Sequence, residues 1–301
     1  MTDVSIIIVS YNTLNLIGNC IDSVFEKTEG IDYEIIVVDN QSPDESVSFL
    51  KGKYGSEPNF KLIELQENIG FGRANNEGIK IAQGRNVLLL NPDTILINNA
   101  IKILSDYLDA NPRVGICGGN LFDEKMKPTH SFRRVLPGLR HEVNKMTSGM
   151  LFWLIYWKNR EFNYTSKPLS VGYITGADMM IRKAVLDEVG CFNPAFFMYY
   201  EETELTYRIK KAGYKVMSIP RAEIQHLEGK SFKEFNAGRS LMILESKAAY
   251  HDLAMSKNKR CVMDAWLLWK MNSRLLLHSI YKRKKKKHLI EKKNYWLRRR
   301  S

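Results

Sequence analysis

Cysteine is scarce and scattered. Cys20, Cys117, Cys191 and Cys261 lie far apart in the 301 residues, with no Cys-x-x-Cys and no Cys/His spacing. That excludes a disulfide framework or a zinc site as the organising device and fits a reducing compartment. No run reaches the roughly 18 apolar residues of a membrane-spanning helix. The nearest, residues 150–157 (MLFWLIYW), has eight, and suits either a buried strand or an interfacial patch, which periodicity does not separate. The opening MTDVSIIIVSYN carries an acid where a secretion signal needs positive charge, and its apolar run is strand-sized. The chain is therefore expected in the cytoplasm. No internal repeat is present.

Positive charge is also lacking where the formal net charge of +12 would suggest it. Residues 282–301 (KRKKKKHLIEKKNYWLRRRS) hold eleven Lys/Arg against one Glu, a net of +10, which leaves +2 for residues 1–281. The body is nearly neutral, so a nucleic-acid-binding face across the fold is not expected, and only the tail could serve such a role. Tyr295, Trp296 and Leu297 interrupt that basic tail, a mixture that suits an anionic membrane surface. A solvated, disordered end is the plainer alternative.

Strand and helix signals alternate through the first half. Residues 4–9 (VSIIIV) and 34–38 (EIIVV) are continuous apolar runs, the pattern of strands buried on both faces. Residues 60–65, 87–90 and 114–117 are further strand candidates. Helical spacing recurs after Tyr11-Asn12, after Pro43, and over residues 75–82 and 98–110. This pattern predicts a doubly wound, mostly parallel α/β sheet. Regularity fails from Asn120 to Pro168, where Arg133-Arg134 and Arg140-His141 form two basic clusters. Beyond it, residues 171–190 and a helix over 201–212 restore order. Residues 214–219, closed by Pro220, and 222–226 read as two short strands. Two helices, 236–255 and 262–281, then lead into the tail.

In open parallel sheets ligands bind beyond the carboxyl ends of the strands. Polar residues collect there: Ser10-Tyr11-Asn12, Asp39-Asn40-Gln41-Ser42 and Asn91-Pro92-Asp93-Thr94. Any one Asp at a strand end is explained as a helix cap; three such ends in succession point to a site. Asp39 suits the imide N–H of a pyrimidine base, and Asp93 a divalent Mg²⁺ or Mn²⁺ on a diphosphate. Between them, Asn68-Ile69-Gly70-Phe71-Gly72-Arg73 offers glycines for close backbone approach and Arg73 for a phosphate. His226 follows a strand, shortly before Gly229-Lys230-Ser231, and is a candidate second metal ligand.

The stretch FFMYYEETELTYRIKKAG (residues 196–213) empties an aromatic run into Glu201, Glu202 and Glu204. Acids suit a first helical turn, and Glu204 with Arg208 makes a favourable i,i+4 pair. That leaves a carboxylate beside an aromatic wall, where a raised pKa suits proton abstraction. Gly176-Ala177-Asp178 precedes it and is expected on the acceptor side, with capping of the next helix as the alternative for Asp178.

Taken in order, VSIIIVSYN, IIVVDNQSPD, ENIGFGRANNEG, LLLNPDT, GADMMIRK, FFMYYEETELTYRIKKAGY and IQHLEGKS resemble the family 2 glycosyltransferases of GT-A fold. Within that family, they look most like the rhamnosyltransferase-like branch that builds bacterial O-antigens and surface polysaccharides. The resemblance covers residues 4–231. It implies an inverting transferase that uses a nucleotide-diphospho-sugar, dTDP-rhamnose favoured over a UDP- or GDP-sugar, and a divalent cation. It also implies a saccharide acceptor, lipid-linked, at the inner face of the cell membrane. By this likeness Asp39 meets the nucleobase, with Ser10, Tyr11, Asn12, Asn68, Gly70, Arg73 and Asn91 also on the nucleotide-sugar. Asp93 ends a DxD-type motif whose first residue here is Asn91. Glu202 falls on the catalytic base of an acid pair that is Glu201-Glu202 where Glu-Asp is usual, and His226 falls near the metal. The expected organisation is a catalytic domain over 1–233, a helical region over 234–281 and the basic tail over 282–301. A nucleotidylyltransferase would need a glycine-rich basic loop after the first strand, and a processive synthase several membrane spans; neither is present in the sequence.

Overall fold

The computed structural model describes residues 2–146, 150–156, 159–227, 237–281, 290 and 292–295. Most of the basic tail and Gly229-Lys230-Ser231 therefore lie outside the described residues, as does Trp157. The first half runs β1 (Val4–Ser10), α1 (Leu14–Lys27), β2 (Tyr33–Asp39), α2 (Ser46–Tyr54), β3 (Phe60–Glu64), α3 (Phe71–Ile81), β4 (Asn86–Leu90) and the short β5 (Thr94–Leu96). Next come α4 (Ala100–Ala110), β6 (Val114–Phe122), β7 (Phe132–Arg133), α5 (Leu139–Met146), α6 (Met150–Tyr156), β8 (Leu169–Ser170) and β9 (Tyr173–Ile174). The chain continues through β10 (Asp178–Arg182), α7 (Lys183–Val189), α8 (Glu201–Lys211) and β11 (Lys215–His226) to α9 (Ala237–Ala254) and α10 (Lys257–Tyr281).

One sheet, in the order β3-β2-β1-β4-β10-β6-β11-β5 with β8 beside β11, organises the molecule. The half that holds β3, β2, β1 and β4 is parallel, as is β6 with β11, whereas β10 and β5 run antiparallel to their neighbours. Alternate residues of β1 and β2 face opposite ways. Ile6, Ile8, Ile35 and Val37 pack with α1, α2 and α4, and Ile7, Val9, Ile36 and Val38 with α3, α7 and α8. Both faces are covered, which is why these strands are apolar throughout. The α/β expectation holds.

Local departures have identifiable causes. The expected strands 214–219 and 222–226 are one strand, β11, because the pairing with β6 skips from Ser218 to Glu223 and Pro220 sits in that irregularity. The run at 150–156 is a helix and not a buried strand, since Leu154 is 65% exposed and Ile155 60%. α3 begins at Phe71, four residues before the expected start at Asn75, so Gly72 and Arg73 belong to its first turn. Helices α9 and α10 pack on each other through Leu244, Ala248, Met263, Leu267 and Met271. Buried Glu142 of α5 accepts from Lys247 of α9 (2.6 Å) and Lys270 of α10 (3.4 Å), fastening the pair to the body.

Asp178 corrects a sequence-based expectation. It is the first residue of β10, wholly buried, and its Oδ2 accepts the Gly119 N–H at 2.5 Å. It neither caps a helix, since α7 begins five residues later, nor presents its carboxyl to an acceptor. Burial pushes its pKa well above the usual carboxylate value. A raised folded-state pKa gives stability that is full below the unfolded value and lost as pH rises through the folded one. Asp178→Asn should therefore melt with wild type in acid and above it increasingly as pH is raised from about 5 to 9. Thermal denaturation across that range checks this; a variant that melts lower at every pH would show that the fold holds the ionised carboxylate.

Candidate active site

Three strand ends form one edge. Asp39 ends β2, is 2% exposed, accepts the Ser42 N–H on Oδ1 (2.9 Å), and has a buried Oδ2 with no hydrogen-bond partner. An acceptor left unmatched in the interior costs on the order of 1–3 kcal/mol, so a ligand donor there is the economical explanation. Asn12 (φ 57°) and Gln41 (φ 63°) follow β1 and β2 in left-handed backbone, and the Asn12 N–H bonds Ser42 Oγ at 3.1 Å. Ser10 is buried with its hydroxyl 2.8 Å from Thr13 Oγ1, so it shapes the turn rather than offering a side chain, while Tyr11 is exposed.

At the third end, Asn91-Pro92-Asp93-Thr94 is a β-turn closed by Thr94 N–H to Asn91 O (3.2 Å), with proline at its second position. Asn91 N–H also bonds Ala177 O (3.0 Å), which brings Gly176-Ala177 to this edge. Antiparallel pairing of β5 with β11 sets His226 opposite Thr94, and Leu227 N–H bonds Asp93 O at 2.9 Å. His226 Nε2 lies 3.3 Å from Asp93 Oδ1. One carboxylate and one imidazole make a donor set that Mg²⁺ or Mn²⁺ accepts when substrate phosphates complete the shell. Among the described residues no cluster of three or more ligating side chains occurs. His130 belongs to this neighbourhood, although no pattern in the sequence marks it. Burial, then the charges of Arg133 and His226, push its pKa down to about 3, so it is a neutral imidazole.

The acid pair opens α8 on a strained approach. Tyr199 (φ 69°) and Tyr200 (φ 68°) are consecutive left-handed residues, and side chains of that size rarely adopt such backbone. Glu201 is 5% exposed with Oε2 buried and unpartnered, whereas Glu202 is half-buried. Burial raises both pKa values, and the Glu202 charge raises Glu201 further. Glu202 thus ionises before Glu201. Tyr173 of β9 adjoins the pair; burial and then the Glu202 charge push its phenol up to about 12. Glu204 pairs with Arg208 as expected, at 2.8 Å, but the half-buried guanidinium also donates to the carbonyls of Val189, Gly190 and Cys191. It pins α8 to the end of α7.

The glycine-rich segment packs against the loop that carries this pair. Phe71 N–H bonds Phe197 O at 3.0 Å, and a Cβ on Gly70 (φ 86°) would lie 2.2 Å from that same oxygen. A Cβ on Gly72 would meet Phe192 at 3.2 Å and Glu201 at 3.4 Å. Arg73, expected on a phosphate, spends Nε and Nη2 on Pro194 O (2.9 and 2.6 Å). Asn68 Oδ1 accepts from Asn40 Nδ2 (3.0 Å) and Gly70 N–H (3.1 Å), linking the β2 end to α3. From the other side, Ser246 Oγ of α9 bonds Met198 O (2.8 Å) and Tyr250 packs on Tyr200 and Tyr207 with ring centroids 5.6 and 6.3 Å apart. The helical region at the C-terminal side therefore buttresses the loop that carries the acids.

Residues 5–190 match the model of glycosyl transferase family 2. The chain is 26% identical over 207 residues to an N-acetylglucosaminyl-diphospho-decaprenol L-rhamnosyltransferase of Mycobacterium tuberculosis, covering 64% of this chain and 66% of that protein. It is 28% identical to the low-salt glycan biosynthesis hexosyltransferase Agl10 of Haloferax volcanii, covering 72% of this chain and 64% of that one. These alignments thus span slightly less than two thirds of the relatives' own length. Among solved structures, GalNAc-T7 with UDP, GalNAc and Mn²⁺ superposes with a TM-score of 0.60 at 16% identity, over 83% of this chain and 50% of that one, a likeness of fold.

Gly70→Ala tests the role given to the glycine segment. An alanine at φ 86°, ψ 165°, an essentially glycine-only region, costs about 1–3 kcal/mol, and its Cβ must displace Phe197. The expected result is a melting temperature lower by a few degrees, roughly 2–4 °C per kcal/mol, with any turnover reduced about tenfold or more as the acid pair shifts. Unchanged melting and turnover would contradict the close approach.

Proposed function

Because this chain belongs to glycosyl transferase family 2, we propose that it transfers a sugar from a nucleotide-diphospho-sugar to a saccharide hydroxyl with inversion at the anomeric carbon. The observation that carries this reading is the acid pair on α8, tied by hydrogen bonds through Phe71, Gly70 and Asn68 to the strand end that holds Asp39. Asp39 Oδ2, unmatched in the interior, takes the imide N–H of the base. Glu202 removes the proton of the acceptor hydroxyl as its oxygen bonds to the anomeric carbon. The bond from that carbon to the diphosphate breaks on the opposite side, and the nucleoside diphosphate leaves with the electron pair. A divalent cation, Mg²⁺ or Mn²⁺, held by Asp93 and His226, would neutralise charge on the departing diphosphate. Glu201, protonated and packed against α3, positions Glu202 and removes water from one side of it.

For the donor we favour dTDP-rhamnose, supported by the rhamnosyltransferase among the relatives; a different hexose is the second reading, supported by the hexosyltransferase. The decaprenol-linked substrate in the first relative's name supports a lipid-linked acceptor. No helix among the described residues is long and apolar enough to cross a membrane. We assign attachment of the catalytic domain (1–233) at the cytoplasmic membrane surface to peripheral contacts. The tail of residues 282–301 supplies charge for it, and the region 234–281 braces the site.

Glu202→Gln keeps the shape and loses the base, so transfer should fall about 10²-fold or more with donor affinity unchanged. Glu201→Gln mimics a carboxyl already protonated and should stay within about threefold of wild type. Steady-state kinetics with donor binding measured separately checks both. A dead Glu201→Gln beside an active Glu202→Gln would reverse the assignment. The raised Glu202 pKa also places the acid limb of turnover above the ordinary carboxylate value of about 4.3.

A further inference from the structure

Arg134 is the cation that this site leaves unmatched. Its neighbour Arg133 pairs with Glu161. Arg134 lies over the Tyr156 ring, guanidinium carbon 4.6 Å from the centroid, with Nε and Nη1 buried and without hydrogen-bond partners. Among the described residues it forms no ion pair. A guanidinium withdrawn from water with no anion is unfavourable, and an aromatic face offsets only part of that cost. Two features set its surroundings. β7 pairs with β9, whose Tyr173 feels the Glu202 charge, so Arg134 follows directly on the strand beside the base. Tyr156 ends α6, and α6 turns Met150, Leu154 and Ile155 to the outside at 60%, 65% and 60% exposure. Seven residues make a helix of about 10 Å, too short to span a bilayer.

We propose that Arg134 and α6 form the docking site for an isoprenoid diphosphate, the lipid carrier of the acceptor saccharide. The planar guanidinium takes the diphosphate through charge-assisted N–H donors, of which Nε and Nη1 have no partner in the protein. Leu154 and Ile155 receive the first isoprene units at the membrane surface, and the saccharide extends from the diphosphate toward Glu202. An unmatched cation directly against an exposed apolar helix is the complement of a molecule with an anionic head and an apolar chain. This rests on the reading of a lipid-linked acceptor and assigns its anchor to named residues.

Farnesyl diphosphate, titrated into the full-length protein without any sugar donor, is the probe. Inorganic pyrophosphate, dTDP and octyl glucoside are run beside it. Wild type is expected to bind farnesyl diphosphate more tightly than either pyrophosphate or octyl glucoside. Arg134→Gln should weaken farnesyl diphosphate about tenfold or more and change dTDP less than about twofold. Arg134→Lys, which keeps charge and stem, should fall between them and guards against a folding artefact. Leu154→Ser with Ile155→Ser should weaken farnesyl diphosphate and leave pyrophosphate unchanged. No binding by wild type, an equal loss of dTDP in Arg134→Gln, or indifference to the α6 pair would each overturn the proposal. Because no donor is present, this result stands or falls apart from the transfer chemistry.

Discussion

Two tyrosines in left-handed backbone, Tyr199 and Tyr200, are the constraint on which the site depends. Such residues cost on the order of 1–3 kcal/mol each and persist only where the surroundings over-determine them. Three elements do so here. α3 closes on Phe197 through Gly70, Arg208 gathers the carbonyls that end α7, and α9 holds Met198 through Ser246 and packs Tyr250 on Tyr200. The turn they enforce delivers Glu201 and Glu202 into the first turn of α8 with little water. Distant parts of the chain, near residues 70, 208 and 246, thereby set the chemistry of two side chains.

The electrostatic consequence is a division of labour between adjacent identical residues. Both carboxyls are raised by burial, Glu202 is the more exposed of the two, and its charge raises Glu201 further. A single charge in a nearly dry pair is better placed to accept a proton than two fully hydrated acids. At the other side of the edge, Asp39 ends β2 with an unmatched oxygen and Asp93 sits in the turn after β4 beside His226, so the proposed binding and proton-transfer roles rest on separate carboxylates.

Much of this was legible in the sequence, and the exceptions share a cause. The buried strands, the acidic strand ends and the acid pair stand out because their signals are local: continuous apolar runs, Asp after Val-Val or Asn-Pro, acids after aromatics. What failed was whatever depends on contacts distant in sequence. Gly70 and Gly72 looked like a phosphate cradle, and only the fold brings Phe197 and Glu201 against them. Pro220 looked like a strand end, but the skipped pairing with β6 lets β11 run through it. Asp178 looked like a cap or an acceptor contact until burial against Gly119 removed it from the surface. His130 and Arg134 lie in a stretch with no periodicity, so nothing short of the tertiary arrangement distinguishes them from surface charges.

The central claim is that the α8 acid pair is desolvated and ionises in sequence, Glu202 before Glu201. Carbon-detected NMR of glutamate side chains labelled at the carboxyl carbon, titrated with pH and assigned with Glu201→Gln and Glu202→Gln, reads this directly. The Glu202 carboxyl is expected to titrate above the ordinary value of about 4.3, and Glu201 higher still. Two carboxyls that both titrate at the ordinary value, independently of each other, would contradict it.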